Sequence, residues 1–232
     1  MNRIHKNNGF TIVELMLAMG FVSALLLAIA MTVIQIGNIY NRGITFKNVD
    51  QIGGSIANEV QRGISGGTSF DAPGQDYIEG GRLCTGEYSY VWNFGNNINA
   101  DTEINRYSST DSNTPIRFVK VHDTSKFVCI KVGAIYPSID KSSSIEMIDG
   151  GQFDLAIQDF SIVSYPTGMD AATRQQLYAI QFYIGTNEQG TLENEGHSCA
   201  LSGLGANPVY CSVERFNITV RAGSETTNAK EK

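Results

Sequence analysis

The sequence lacks the residue patterns that most enzymes and metal proteins need. It has only three histidines, His5, His122 and His197, and none stands near an obvious partner for a catalytic triad or a metal site. Its four cysteines include no C-x-x-C pair, which argues against zinc. Residues 63–67 match G-x-S-x-G, but a nucleophile elbow follows a strand, and here a helical pattern precedes the motif. We therefore expect no enzymatic activity, no cofactor and no metal.

Positive charge is also scarce. Lysine and arginine number 17 against 23 aspartates and glutamates, so the formal net charge is -6. An acidic chain argues against a general nucleic-acid-binding surface, although it leaves room for local basic patches. Asp101, Glu103 and Asp111 offer oxygen ligands for calcium, but their spacing matches no EF-hand loop. A solvated polar loop is the favoured interpretation of these three residues.

Charged residues are absent between Leu15 and Ile34. Twenty residues in a helix span about 30 Å, the thickness of a bilayer core, which predicts a transmembrane helix over residues 10–35. Arg3 and Lys6 precede it and stay in the cytoplasm, so the C-terminal part lies outside. Glu14 at the mouth of this run costs about 3 kcal/mol at mid-membrane and less near the interface. This cost makes Glu14 a candidate functional residue.

Three simpler interpretations of this segment stay open. A secretory signal peptide would be cut near Ala28-Ile29-Ala30, but the apolar run is longer than its usual core and contains Glu14. A plain signal anchor explains the length of the run and not the carboxylate. Glu14 could also reach the lipid headgroups without any further role.

The residues around Glu14 resemble the processing site of type IV pilins and type II secretion pseudopilins. The stretch that carries the resemblance is Gly9-Phe10-Thr11-Ile12-Val13-Glu14-Leu15. Met31 stands where many major pilins have a proline, which favours a minor pilin or a pseudopilin. Residues 151–166, 176–186 and 211–222 are more weakly similar to the last strands of minor pilins related to the J-type pseudopilins. The resemblance implies an α+β, pilin-like fold, with a long N-terminal helix packed on an antiparallel β-sheet.

The same resemblance implies roles for three residues. A membrane peptidase and methyltransferase would cut after Gly9 and methylate the new amine of Phe10. Glu14 would then meet the Phe10 amine of a neighbouring subunit. Removing one partner of such a buried ion pair costs about 3–5 kcal/mol.

The resemblance also implies partners and a location. The partners are other pilin or pseudopilin subunits, the prepilin peptidase, an assembly platform in the cytoplasmic membrane, and lipid before assembly. The chain would wait as a single-pass protein of the cytoplasmic membrane and then enter a cell-surface or envelope filament. The alternative function is a membrane-anchored adhesin or ligand-binding protein that joins no filament.

The cysteines, Cys84, Cys129, Cys199 and Cys211, all follow the apolar segment. An even number in an exported domain favours disulfides, and three pairings are available. Cys84–Cys129 would join two strand-like runs, residues 83–92 and 127–132. Cys199–Cys211 would close a short loop rich in Gly, Ser and Asn, and this loop resembles the C-terminal disulfide loop of many pilins. We predict these two pairs.

The apolar helix is predicted to continue beyond the membrane. Residues 35–64 contain no proline, and Val49, Ile52, Ile56 and Val60 recur at the three- and four-residue spacing of an amphipathic helix. Gly53-Gly54 weakens this prediction, since each glycine costs about 1 kcal/mol in a helix interior. The glycines of residues 63–67 should end the helix. Residues 36–64 therefore form an amphipathic continuation of the helix.

The rest of the chain alternates as β-strands do. Strand-like runs lie at residues 88–94, 116–121, 153–162, 178–184 and 216–220, and the third changes face near residue 158, as at a bulge. A period of two predicts a sheet with one covered face, and the amphipathic helix is its natural cover. We expect a leader over 1–9, a β domain over 65–222 with polar loops at 96–115 and 187–208, and a disordered tail over 223–232.

Overall fold

The structure is a computed structural model that describes residues 10–67, 81–99, 105–107, 114–132, 136–148, 153–165, 175–188, 190–200 and 210–223. It combines one long N-terminal helix with antiparallel sheets, so the α+β class is confirmed. The predictions for the leader with Gly9, for the acidic residues Asp101, Glu103 and Asp111, and for residues 224–232 lie outside the described residues.

The helix α1 (Ile12–Gly66) contains 55 residues without a break. At 1.5 Å per residue it is about 80 Å long. The predicted membrane and amphipathic halves are therefore one helix, which continues through Gly37 and Gly43. Its end is capped by Gly67, whose N–H donates to the carbonyl oxygen of Ile64 at 3.1 Å. The G-x-S-x-G match is thus a helix terminus, as predicted.

The described residues contain twelve strands. They are β1 (Gly81–Cys84), β2 (Tyr88–Trp92), β3 (Asn105–Tyr107), β4 (Thr114–Pro115), β5 (Phe118–His122), β6 (Ile139–Asp140), β7 (Ser144–Glu146), β8 (Leu155–Tyr165), β9 (Leu177–Thr186), β10 (Leu192–Glu193), β11 (Ser198–Cys199) and β12 (Val213–Arg221). A short helix, α2 (Gly95–Asn99), follows β2, and 3-10 turns occur at Phe127–Cys129, Lys141–Ser143 and Asn194–Gly196.

Two sheets form the body of the fold. One has the order β1-β2-β5-β7 and the other the order β12-β9-β8, and every pairing in both is antiparallel. A small sheet, β4-β3-β6, includes one parallel pair, and β10 pairs with β11. The β8–β9 register shifts between Ile157 and Asp159, which confirms the predicted bulge.

The second half of α1 covers the sheet that contains β12. Its buried residues recur every three or four positions and are Thr45, Val49, Gly53, Ile56, Val60 and Ile64. The predicted apolar stripe is therefore confirmed, with Ile52 only half-buried at its border. These side chains pack mainly against β12, the last strand of the chain.

A row of aromatic rings links the two sheets to α1. Trp92 lies 4.2 Å from Phe160, Phe160 lies 5.8 Å from Phe182, and Phe182 lies 5.1 Å from Phe216, measured between ring centroids. Trp92 has no exposed surface. Tyr90, on the same strand β2, is also fully buried.

A polar contact ties α1 to the four-stranded sheet. Lys120 of β5 places its Nζ 2.6 Å from Oε1 of Glu59, and the Tyr90 hydroxyl donates to the Glu59 carbonyl oxygen at 3.1 Å. Gly63 lies beside this hydroxyl, where a Cβ would overlap it. The helix is therefore fixed against both sheets, by apolar packing on one and by this contact on the other.

Two of the sequence predictions about local structure are wrong. Residues 127–132 do not form a strand, because Phe127–Cys129 is a 3-10 turn whose N–H groups bind the Asp123 side chain and the Lys126 carbonyl. Residues 83–92 are not one run, since a turn at residues 85–87 separates β1 from β2. The polar loops 96–115 and 187–208 also contain short elements, among them β3, β10 and β11.

Candidate functional site

Phe10 and Glu14 stand at the start of α1. Phe10 precedes the first helical residue and is 80% exposed. Glu14 lies in the first helical turn and is also exposed. Phe10 lies before the helix, yet both residues line one open hollow at the start of α1. The structure thus puts the predicted methylation and assembly residues together at one end of the molecule.

Glu14 also caps the helix in which it lies. Its Oε2 accepts hydrogen bonds from the Thr11 backbone N–H and the Thr11 hydroxyl, both at 2.9 Å. In return, the Glu14 N–H donates to the Thr11 hydroxyl at 3.3 Å. This reciprocal arrangement is a capping box. Its signature in the sequence is Thr-x-x-Glu ahead of an apolar run, which is enough to predict the cap.

The other oxygen of Glu14, Oε1, has no hydrogen-bond donor among the described residues. Large apolar side chains follow Glu14 along the helix, and those from Phe10 to Tyr40 are between 46% and 80% exposed. This part of α1 is long and apolar enough to cross a membrane, and none of its most apolar stretch is buried within the chain. A helix that exposes this much apolar surface is compatible with a membrane anchor.

Both predicted disulfides are present. Cys84 of β1 is bonded to Cys129, with a Cα–Cα distance of 6.3 Å. Cys199 of β11 is bonded to Cys211, with a Cα–Cα distance of 5.8 Å. The first bond holds the 3-10 turn against the edge of the four-stranded sheet. The second lies beside α1, where Ile39, Arg42 and Phe46 line a groove with both of its cysteines.

Asp123 organises the turn that carries Cys129. Its carboxylate accepts hydrogen bonds at 2.9 Å from the N–H groups of Phe127 and Val128 and from the Ser89 hydroxyl. Burial on its own would raise the pKa of Asp123, but these donors favour the charged form and hold the pKa below its usual value. The carboxylate therefore stabilises the turn that the disulfide then closes.

A second group of polar side chains lies beside the β8 bulge. Nε2 of His197 lies 3.1 Å from Oδ2 of Asp159, and the imidazole stacks on the Tyr183 ring with centroids 4.1 Å apart. Sequence reasoning found no partner for His197, because Asp159 is 38 residues away. His122, the second histidine within the described residues, lies 3.5 Å from Glu87 on the exposed surface.

The His197 side chain borders an open cleft of about 410 Å³. Its lining combines amide, carboxylate, imidazole and phenyl groups, from Phe94, Asn96, Asn97, Gln158, Asp159, Glu195 and His197. One lining residue, Glu195, and its neighbour Asn194 have positive φ values of 60° and 53°. Left-handed backbone at non-glycine residues costs free energy and often occurs at functional sites.

No family model, no curated protein and no solved structure matches this chain.

Proposed function

We propose that this protein is a filament subunit, a minor pilin or pseudopilin that is processed after Gly9 and assembles through α1. One observation carries the proposal: a single carboxylate, Glu14, stands in the first turn of a bare apolar helix, directly after the motif Gly9-Phe10. Cleavage there would place a cationic amine on Phe10, at the same end of the helix. An unpaired charge in apolar surroundings has a high free-energy cost, and pairing the amine with a carboxylate reduces this cost for both groups.

The geometry of Glu14 supports an intermolecular partner. Within its own chain the carboxylate uses Oε2 for the Thr11 cap, and Oε1 faces no donor among the described residues. An amine from a neighbouring subunit can bind Oε1 without breaking the cap. The Glu14 carboxylate would then cap the start of its own helix and also fix the position of that helix beside the α1 helix of the neighbouring subunit.

The rest of α1 supports the same proposal. Its second half is packed against β12 and held by the Glu59–Lys120 contact, which joins the helix to the domain. Its first half is free to exchange lipid for the helices of neighbouring subunits. Before assembly, the subunit is a single-pass membrane protein whose C-terminal domain lies outside. Other subunits, a prepilin peptidase and an assembly platform are its partners.

Three variants test the role of Glu14. Glu14→Gln removes the charge, and glutamine can still form a capping box. Glu14→Ala removes both the charge and the cap, and Thr11→Ala weakens the cap and keeps the charge. We expect equal amounts of all three in membranes, but at least fivefold less Glu14→Gln and Glu14→Ala in sheared filaments. Thr11→Ala should enter filaments like the wild type.

Intact-mass analysis of the same fractions tests processing. Each variant should start at methylated Phe10, because the cut after Gly9 lies outside the substitutions. Normal incorporation of Glu14→Gln would refute the charge-pairing role. A mature N-terminus near residue 30 would refute the filament proposal and identify a secretory signal peptide.

A second candidate function is an anchored ligand-binding protein. The observation that favours it is the cleft beside the β8 bulge, which filament assembly through α1 does not explain. Absence of the protein from sheared filaments, together with an intact anchor, would support this alternative.

A further inference from the structure

The bulge in β8 sends two consecutive side chains to the same cleft. In a regular strand, neighbouring side chains point to opposite faces. Here Ile157 pairs with Ile184 and Asp159 pairs with Tyr183, so Gln158 is the extra residue. Gln158 and Asp159 consequently both line the cleft. Bulges often redirect side chains in this way beside functional sites.

The Gln158 amide is clamped in one position. Its Nε2 donates to the Thr186 carbonyl oxygen at 3.3 Å, and the side chain is only 9% exposed. The backbones of Gly95 and Gly196 approach it so closely that a Cβ at either position would crowd the amide. The oxygen Oε1 has no donor among the described residues, so it remains an oriented acceptor on the cleft wall.

The imidazole of His197 is more exposed than Gln158 but has two contacts that orient it. The stacked Tyr183 ring sets its plane, and the Asp159 carboxylate sets its rotation through Nε2. The cleft therefore presents an acceptor from Gln158, an oriented imidazole and a carboxylate before any ligand arrives. Asn96 adds an exposed amide at the border of the cleft, and Phe94 adds an apolar surface.

The chemistry of this lining selects a class of ligand. Amides and imidazoles both donate and accept hydrogen bonds, and hydroxyl groups do the same, so the two kinds of group are complementary. Asp159 and Glu195 disfavour anions. The described residues contain no cluster of three His, Cys, Asp or Glu side chains that could hold a metal ion. A volume of about 410 Å³ accommodates a small ring with hydroxyl substituents.

We propose that this cleft binds a neutral, hydroxyl-rich ligand, namely a sugar residue of a glycan. Gln158, His197 and Asn96 would bind its hydroxyl groups, and Phe94 would contact its C–H face. Because none of these residues belongs to the start of α1, this binding is independent of filament assembly. A chain that fails to enter filaments could still bind sugar, and the reverse also holds.

Saturation-transfer NMR on the full chain in nanodiscs tests the proposal. The probes are glucose, galactose, mannose and N-acetylglucosamine, with glucosamine and glucuronate as the cationic and anionic counterparts of glucose. We expect at least one neutral sugar to receive saturation from the protein, and glucuronate to receive none. His197→Phe keeps a ring stacked on Tyr183 but loses the polar atoms, and it should lower the signal at least fivefold.

Asn96→Ala should lower the saturation-transfer signal similarly, because it removes an amide that lines the cleft. Asn96 is exposed, so its loss leaves the core intact. The matched control is Asn217→Ala, which removes an exposed amide from β12, outside the cleft. It should bind sugar like the wild type. Thermal unfolding of every variant, followed by Trp92 fluorescence, should show the wild-type transition. The proposal is overturned if no neutral sugar binds, if both cleft variants bind normally, or if glucosamine alone binds.

Discussion

Gly53 of α1 lies directly against the Phe216 ring of β12, with no room between them for a side chain. Phe216 cannot easily withdraw, because it stacks on Phe182 at 5.1 Å with the ring planes 14° apart. The neighbouring Gly54 faces open space. Close packing of α1 on β12 therefore requires a glycine at position 53 and places no such requirement on position 54.

These two glycines provide a matched pair of variants. Gly53→Ala should lower the free energy of unfolding by about 1–3 kcal/mol, because the added methyl group displaces Phe216 from the core. Gly54→Ala should raise it by up to about 1 kcal/mol, because alanine is the better helix former. Thermal unfolding in detergent, followed by the fluorescence of Trp92, the only tryptophan, measures both. Equal effects of the two variants would contradict the packing argument.

Glu214 at the start of β12 is predicted to destabilise the folded protein at neutral pH. Burial raises its pKa, and the nearby Asp50 carboxylate raises it further. Its Oε2 is buried without a hydrogen-bond partner in the described part of the chain. A raised pKa means that the folded state favours the protonated form, so stability falls as pH rises through the folded pKa.

Glu214→Gln should therefore raise the free energy of unfolding at pH 7, by roughly 0.5–1 kcal/mol. The gain should vanish below the unfolded pKa of about 4.3, where the wild-type side chain is uncharged in both states. Unfolding curves of wild type and variant at pH 7 and pH 4 give this comparison. A loss of stability at pH 7 would show that the Glu214 carboxylate has a stabilising partner. The exposed Glu193→Gln serves as the control.

Asp123 should behave in the opposite way. Its hydrogen bonds favour the charged form in the folded state, so its stabilising effect is present above the unfolded pKa of about 3.9 and disappears as pH falls through the lower, folded pKa. Asp123→Asn should lower the free energy of unfolding at pH 7 by about 1–3 kcal/mol. The difference from wild type should narrow below about pH 4. If the difference in free energy of unfolding between wild type and Asp123→Asn did not change with pH, the charge of Asp123 would not be the property that stabilises the turn.

The two disulfides should differ in their contribution to stability. Cys84–Cys129 spans 45 positions and Cys199–Cys211 spans 12, and a longer loop loses more entropy when it is closed. The chain-entropy model gives about 4 kcal/mol for the first and about 3 kcal/mol for the second. Paired Cys→Ala variants, unfolded in parallel, should follow this order. Non-reducing peptide mapping of the exported wild-type protein should find the same two pairs, and free thiols at all four positions would contradict the structure.

The sequence predicted those features of the fold that depend on periodicity. The stripe of Val49, Ile56 and Val60, the alternation in β8, β9 and β12, and the shift of face near Gln158 all follow from a repeat of 3.6 or 2 residues. These periodic patterns are local, and the elements that they predict keep the same buried faces in the folded protein. The two disulfide pairs were also predicted correctly.

The features that the sequence did not predict depend on contacts between distant residues or on single side chains. Phe127 has a strand-forming neighbourhood, but the Asp123 carboxylate captures its N–H and imposes a 3-10 turn. His197 and Asp159 meet only because the bulge turns Asp159 toward the cleft. Neither the Asp123–Phe127 contact nor the His197–Asp159 contact follows from a periodic pattern in the sequence. The Thr11–Glu14 cap is different, since the three-residue spacing of a capping box is a local signal that the sequence contains.

The position of β12 has a consequence for the order in which the molecule can form. The apolar stripe of α1 ends near Ile64, and the strand that covers it ends only at Arg221. At about 5–20 residues per second, a ribosome needs roughly 8–30 s to make the chain between them. Throughout this interval the nascent stripe lacks β12, its main native partner. The domain therefore cannot complete its packing on α1 before the last strand is made, and a chain shortened before Val213 would leave much of the stripe exposed and prone to aggregation.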